Sequence, residues 1–280
     1  MASQNDLVGI HPVAPHFFEN WFTCEDKPVV PAKLHRSLIS KLSSDDDVLV
    51  EWLARKIIDY HYDPVKLDRL KDRYSQIGFP QYAAQHRQLP NTDKTKKGNA
   101  TEIILIEYIE GCLVGRQLYK AFKFRYNPNV DQSMKGDDAL LVEIVKDKRG
   151  MDDLNVLLGE AKFRGTPSND VLGDLSSSLG KDKLPISFSF LVDELYKDAA
   201  TESVARLFDN FVMDQIKSKG NLKYAGLLLS NHNASNFVEN NFQCDNPALV
   251  IISASLRNPA VLINKAFEKA NDLLKNPTLI

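Results

Sequence analysis

The stretch VLLGEAKF, Val156–Phe163, ends an apolar run with two charged side chains. Its length and aliphatic content predict a strand. Alternate residues of a strand face the same side, so Glu160 and Lys162 are expected to point in one direction. Burying both charges is costly unless the two groups pair with each other or bind a ligand. The end of this strand is therefore a candidate functional site.

A second acidic signal precedes this strand. The motif GDD, residues 136–138, stands directly before another apolar strand, which we predict at Ala139–Val145. If the two strands form a hairpin, one of the two aspartates lies beside Glu160. Asp138 is favoured because it adjoins the apolar strand, while Asp137 stays open as the alternative.

A third acidic residue, Glu102, is expected in the first turn of an apolar helix that precedes both strands. The convergence of Glu102, Asp138 and Glu160 with Lys162 suits phosphodiester hydrolysis, because carboxylates hold Mg²⁺ (or Mn²⁺) and leave positions for water and phosphate. The metal activates the water and stabilises developing negative charge. We predict that the three carboxylates bind the metal, and that Lys162 positions the water or stabilises the transition state.

Each signal also has an ordinary structural interpretation. Glu160 and Lys162 are a common pair on a solvated strand, Glu102 can complement its helix dipole, and two consecutive aspartates can form a turn. Their joint order along the chain favours the site. Several basic residues nearby could contact phosphates or form a solvated surface: Lys94, Lys96, Lys97, Arg116, Lys120, Lys123, Arg125 and Arg164.

The order of elements predicts an α/β fold with a mixed central sheet flanked by helices. We assign residues 1–90 to a mostly helical N-terminal region and residues 91–280 to the main domain. The predicted strands are Leu118–Tyr126, Ala139–Val145, Val156–Phe163, Tyr224–Leu229 and Ala248–Ser253, the last two bracketing an Asn-rich loop. Further helices are predicted at Val48–Ile58, Val65–Tyr74 and Thr201–Lys217, from Ser168, and from Pro259 to about Leu274.

Composition excludes several classes of protein. The chain has 280 residues, 43% hydrophobic and 26% charged, which is typical of a globular protein with a sizeable core. Its apolar runs are too short to cross a bilayer and no secretory signal is visible, so we expect a cytoplasmic protein without membrane association. Three scattered cysteines argue against a disulfide framework or structural zinc. The net charge of −2 implies that any DNA contact needs a local basic lining or a partner.

The acidic set resembles that of the PD-(D/E)xK nuclease superfamily. A helix with Glu102, a strand preceded by Asp138, and a strand with Glu160-Ala161-Lys162 follow the order of that superfamily, although Asp137 stands where its signature has proline. More narrowly, KGN (97–99), MKGDD (134–138) and GEAKFRGTP (159–167) resemble the nuclease subunit of Hachiman anti-phage defence systems. This likeness spans about residues 94–170.

The resemblance implies a PD-(D/E)xK nuclease-like domain at residues 91–280 and a Mg²⁺-dependent DNA nuclease. Such a subunit acts in a prokaryotic anti-phage system, beside a helicase or similar ATPase that restrains it. The helices predicted at Val48–Ile58 and Val65–Tyr74 are candidates for part of that interface. The alternative is a catalytically silent subunit that keeps the fold, binds a partner and regulates a helicase.

Overall fold

A seven-stranded mixed sheet organises the chain in the computed structural model, which describes residues 2–31, 33–69, 88–134, 136–180, 183–211, 220–231 and 234–275. The strands are β1 (Phe22–Asp26), β2 (Leu34–Ser40), β3 (Leu118–Lys120), β4 (Ala139–Lys146), β5 (Asp152–Arg164), β6 (Leu222–Ser230) and β7 (Leu249–Ser255). The helices are α1 (Gln4–Val8), α2 (Phe17–Trp21), α3 (Asp47–His61), α4 (Asp93–Cys112), α5 (Asn169–Ser178), α6 (Phe188–Leu195), α7 (Glu202–Asp209), α8 (Ala234–Asn241) and α9 (Pro259–Lys275). Residues 64–69 are also helical. The predicted α/β class with a mixed sheet flanked by helices is confirmed.

The sheet order is β1-β2-β7-β6-β5-β4-β3. Strands β2, β7, β6 and β5 run parallel, whereas β1 and β4 pair antiparallel with β2 and β5, and β3 with β4. In the β4–β5 hairpin Ala139 pairs with Gly159, which confirms the predicted adjacency of these strands. The residue before Ala139 therefore lies at the same end of the sheet as the residue after Gly159.

Two apolar cores cover the two faces of the sheet. Helices α3, α4 and α9 bury their apolar sides on one face, and α5, α6, α7 and α8 bury theirs on the other. The central strands β6 and β7 are buried along nearly their whole length, because parallel strands with helices on both faces meet no solvent. Their uninterrupted apolar sequences follow from this position.

Gly159 sets how closely α4 approaches the sheet. A Cβ atom at this position would lie 2.7 Å from Leu105 Cδ2 on α4 and 2.7 Å from Ala139 Cβ on β4. Helix α4 packs on β5, and the residue after Gly159 belongs to the acidic set. The missing side chain thus allows the helix and the strand end to meet.

We expect Gly159→Ala to lower the free energy of unfolding by about 1–3 kcal/mol, because overpacking displaces either α4 or β4. Gly173→Ala is the matched control: it lies in α5 with no atom within 4 Å of the added Cβ. Alanine is the better helix former there, so this control is expected to leave stability unchanged or slightly raised. Urea unfolding of both variants checks the prediction, and equal midpoints for Gly159→Ala and wild type would contradict it.

Two strands in the N-terminal region were not predicted. The predicted helix at Val48–Ile58 is present as α3, but β1 and β2 extend the sheet beyond β7. A search for hydrophobic periodicity does not detect β2, because this strand buries the charged residue Arg36. The guanidinium of Arg36 donates to Asp26 (2.7 Å) and Asn5 (2.7 Å). The proposed domain boundary at residue 90 stays a prediction.

The helix proposed at Val65–Tyr74 falls only partly within the described residues, of which 64–69 are helical. The suggestion that α3 forms a partner interface loses its support, because its apolar side, including Leu53 and Ile57, is buried and the helix packs against α9. None of the described helices is both long enough and apolar enough to span a membrane.

Three other predicted elements need correction. The strand at Leu118–Tyr126 is wrong beyond residue 120, because a 3₁₀ turn at Lys123–Tyr126 buries two consecutive side chains, which an alternating strand would place on opposite faces. The predicted Asn-rich loop contains a helix, α8. Few of its side chains are buried, so its sequence shows only a weak helical pattern of apolar residues. The helix at Thr201–Lys217 is shorter than predicted: α7 ends at Asp209, and residues 212–219 lie outside the described residues.

Candidate active site

Glu102 reaches the site from α4, a helix buried over most of its circumference, but from its middle and not from the predicted first turn, because the helix already begins at Asp93. Its Oε2 atom lies 2.7 Å from Lys123 Nζ, outside hydrogen-bond geometry, so this buried oxygen has an ionic neighbour but no hydrogen bond. Burial raises the pKa of Glu102 to about 8; Lys123 opposes the shift and Asp138 adds to it. A cation that approaches Glu102 would favour its ionised form and lower this pKa.

Asp138 lies directly before β4 and contacts both the end of β5 and Lys123. Its Oδ2 accepts a hydrogen bond from the main-chain N–H of Ala161 (2.9 Å), and its Oδ1 lies 3.4 Å from Lys123 Nζ. Because Ala161 stands between Glu160 and Lys162, this hydrogen bond fixes Asp138 against the end of β5. Asp138 therefore joins the acidic cluster, which we define as Glu102, Asp138 and Glu160.

Glu160 and Lys162 pair on one side of β5, as the strand alternation predicts. Lys162 Nζ donates to Glu160 Oε1 at 2.5 Å. Burial and the charge of Asp138 raise the pKa of Glu160, while Lys162 and Lys123 pull it down. Burial acts to lower the pKa of Lys162, but the contact with Glu160 outweighs it and the pKa is raised. Because Asp138 and Lys123 both change the pKa of Glu160, the charges of the cluster depend on one another.

Asp137 faces away from the acidic cluster. Its Oδ2 accepts from the N–H of Ser187 (2.8 Å), its own N–H donates to Ser187 Oγ (2.9 Å), and Lys183 Nζ lies 3.5 Å from its Oδ1. Gly136 adopts a φ of 132° beside it, and a Cβ there would lie 2.7 Å from Ser187 Oγ. Asp137 thus ties the loop to the start of α6 while Asp138 turns toward Glu102.

Lys123 belongs to the site, although the sequence alone predicts no role for it beyond membership of a set of basic residues. Its side chain is 10% exposed, and its ammonium donates to the main-chain oxygen of Asp137 (3.0 Å) besides contacting Glu102 and Asp138. A lysine flanked by Phe122 and Phe124 was the available signal, since a charge within an aromatic run is as unusual as the charged pair in β5.

Most of the predicted basic set is engaged within the chain. Lys120 binds Glu107 and Glu110, Arg116 lies 3.3 Å from Glu143, and Arg125 donates to a main-chain oxygen of α3. Two lysines of α4 lie over aromatic rings instead: Lys97 Nζ is 5.6 Å from the ring centroid of Phe163, and Lys96 Nζ 5.9 Å from that of Phe267.

The donor chemistry of the acidic cluster fits a hard divalent cation. Three carboxylates are largely shielded from solvent, and Glu102 Oε2 is buried without a hydrogen bond. Across the described ranges, however, no three carboxylate, imidazole or thiol groups are grouped as a ready metal site. The cations that accompany the carboxylates in this conformation are the ammonium groups of Lys123 and Lys162.

Comparisons with known proteins cover nearly the whole chain. The model of the HamA family matches residues 15–270, a range that includes the acidic cluster, Lys123 and Lys162. The Hachiman protein HamA of Bacillus cereus is 36% identical over 280 residues, covering 98% of this chain and 97% of that protein. An identity of this size over nearly complete lengths, together with the match to the family model, means that the chain belongs to the HamA family.

Proposed function

We propose that this chain is a metal-dependent DNA nuclease of a Hachiman anti-phage defence system, with a centre of the PD-(D/E)xK type. The observation that carries the proposal is the meeting of Glu102, Asp138 and Glu160 with Lys162 at one end of a mixed sheet. Membership of the HamA family and the likeness to a Hachiman protein support the biological setting. Carboxylates shielded from solvent beside a lysine favour phosphodiester hydrolysis over purely structural pairing.

Glu102, Asp138 and Glu160 would hold Mg²⁺ or Mn²⁺, which supplies an activated water and stabilises charge on the phosphate. The protein contributes position and shielding. The hydrogen bond from Ala161 orients Asp138. Lys162, held by Glu160, can donate a proton of its ammonium in a hydrogen bond to the attacking water or to a phosphate oxygen.

A second candidate function is a catalytically silent subunit that binds and regulates a helicase. The specific observation in its favour is that Lys123 and Lys162 already neutralise much of the acidic cluster. A cluster balanced by two lysines can stabilise the fold without any metal. The two functions differ in one respect that is simple to measure, because a silent subunit changes the helicase but cleaves no DNA.

Control by a partner follows from the same proposal. An unrestrained DNA nuclease would damage its own host, and a net charge of −2 gives the chain little general attraction to DNA. A helicase or similar ATPase of the same system would deliver the substrate and hold the nuclease inactive until it engages DNA.

Co-expression with the candidate helicase tests this function. We expect a stable complex in size-exclusion chromatography, with DNA cleavage that requires Mg²⁺ and begins when the partner engages DNA. Altered ATPase activity without cleavage under any of these conditions would favour the silent subunit. A chain that elutes alone, cleaves DNA freely and is harmless to its host would contradict partner control.

A further inference from the structure

Lys123 enters the acidic cluster from a turn that leaves the sheet. Strand β3 ends at Lys120, and the 3₁₀ turn at Lys123–Tyr126 directs the Lys123 side chain inward, where it is 10% exposed. Its ammonium lies 2.7 Å from Glu102 Oε2 and 3.4 Å from Asp138 Oδ1. It therefore lies close to one oxygen of each of two proposed metal-binding carboxylates.

Features outside the cluster also hold this ammonium in place. Lys123 Nζ donates to the main-chain oxygen of Asp137 (3.0 Å) and lies 5.6 Å from the ring centroid of Phe124. The adjoining cavity is lined by apolar side chains and also by Asp137, Asp138 and Ser187, and it has a volume of about 10 Å³. That is roughly the space of one water molecule and too small for an ammonium with its hydration shell. The ammonium therefore has no room to move into this cavity together with its water.

We propose that Lys123 is a resident cation of the site, so that the centre binds one divalent metal ion per chain and not two. The inference rests on the proposed function and adds to it the stoichiometry of the metal and the residue that determines it. The ammonium of Lys123 occupies the space beside Glu102 and Asp138 that a second metal ion would need. It also balances the negative charge that would attract such an ion.

Charge balance supports a single ion. The acidic cluster carries three negative charges when ionised, and Lys123 and Lys162 carry two positive ones. One divalent ion leaves a single net positive charge, which suits a phosphate, whereas two ions leave three. Three uncompensated positive charges repel one another strongly in a partly buried site.

Removing the ammonium should create room for a second ion. Lys123→Met keeps most of the length and the apolar stem of the side chain but removes its charge, and Lys123→Gln is a second variant that keeps a polar end. Lys120→Met is the matched control, because Lys120 lies three residues earlier and pairs with Glu107 and Glu110 instead of the acidic cluster.

Counting bound Mn²⁺ on the full chain by equilibrium dialysis, with free Mn²⁺ followed by electron paramagnetic resonance, tests the inference. We expect one ion on the wild type and on Lys120→Met. On whichever Lys123 variant keeps the wild-type circular dichroism, we expect either a second ion or at least tenfold tighter binding of the first. One ion at unchanged affinity on the folded variant would overturn the inference.

The wild type alone also discriminates, even if neither Lys123 variant folds. Two ions bound to the wild type would overturn the single-ion inference and leave the proposed nuclease intact. One ion supports both. No bound Mn²⁺ at millimolar concentration would overturn the proposed metal-dependent function, and the inference would fall with it.

Discussion

Lys162→Ala is expected to abolish metal-dependent DNA cleavage, with a loss of at least about a hundredfold, because it removes the ammonium that we propose contacts the attacking water or a phosphate oxygen. The change also removes the hydrogen bond to Glu160 and leaves a partly buried carboxylate without its ion pair. Glu160→Gln is expected to have an equally large effect, because it removes a proposed metal ligand while keeping the size of the side chain.

A matched control separates catalysis from folding. Lys146→Ala removes a lysine from the other end of the same hairpin, where its side chain is 65% exposed and pairs with Asp152. We expect this variant to cleave DNA like the wild type, and all three variants to keep the wild-type circular dichroism spectrum. Wild-type cleavage by purified Lys162→Ala or Glu160→Gln would sink the assignment of these residues.

The second large effect distinguishes the two consecutive aspartates. Asp138→Asn keeps an oxygen that can accept from Ala161 but loses its negative charge, so we expect metal affinity to fall at least about tenfold. Asp137→Asn should leave metal affinity nearly unchanged and instead destabilise the fold by about 1–3 kcal/mol, because it weakens the buried contacts with Ser187 and Lys183.

Titration calorimetry with Mn²⁺ and thermal unfolding, applied to both variants, measure the two effects separately. The predicted pattern is a loss of metal binding in one variant and a loss of stability in the other. If Asp137→Asn lost metal affinity more than Asp138→Asn, the assignment of Asp138 to the acidic cluster would be wrong.

The hairpin at the centre of the site could be predicted from sequence because its signals are local. The apolar runs of β4 and β5 are separated by a short charged turn, and strand alternation alone places Glu160 and Lys162 on one side. Asp137 and Asp138 precede β4, and their contacts show that they face opposite ways. Whether these residues bind a metal stays a prediction.

Lys123 and β2 could not be predicted in the same way, because each depends on partners distant in sequence. Lys123 is buried only because Glu102 and the loop before β4 surround it. Strand β2 buries His35 and Arg36, whose partners come from α1, β1, β7 and α8. Hydrophobic periodicity does not detect a polar residue that becomes buried through tertiary pairing.

The most direct test of a metal-dependent nuclease is DNA cleavage by the purified complex of this chain with the proposed helicase partner. The assay compares Mg²⁺ with excess chelator, and wild type with Glu160→Gln. We predict cleavage only when both Mg²⁺ and an intact Glu160 are present. Cleavage that persists in chelator or in the Glu160→Gln complex, or no cleavage by the wild type while the helicase hydrolyses ATP on DNA, would contradict it.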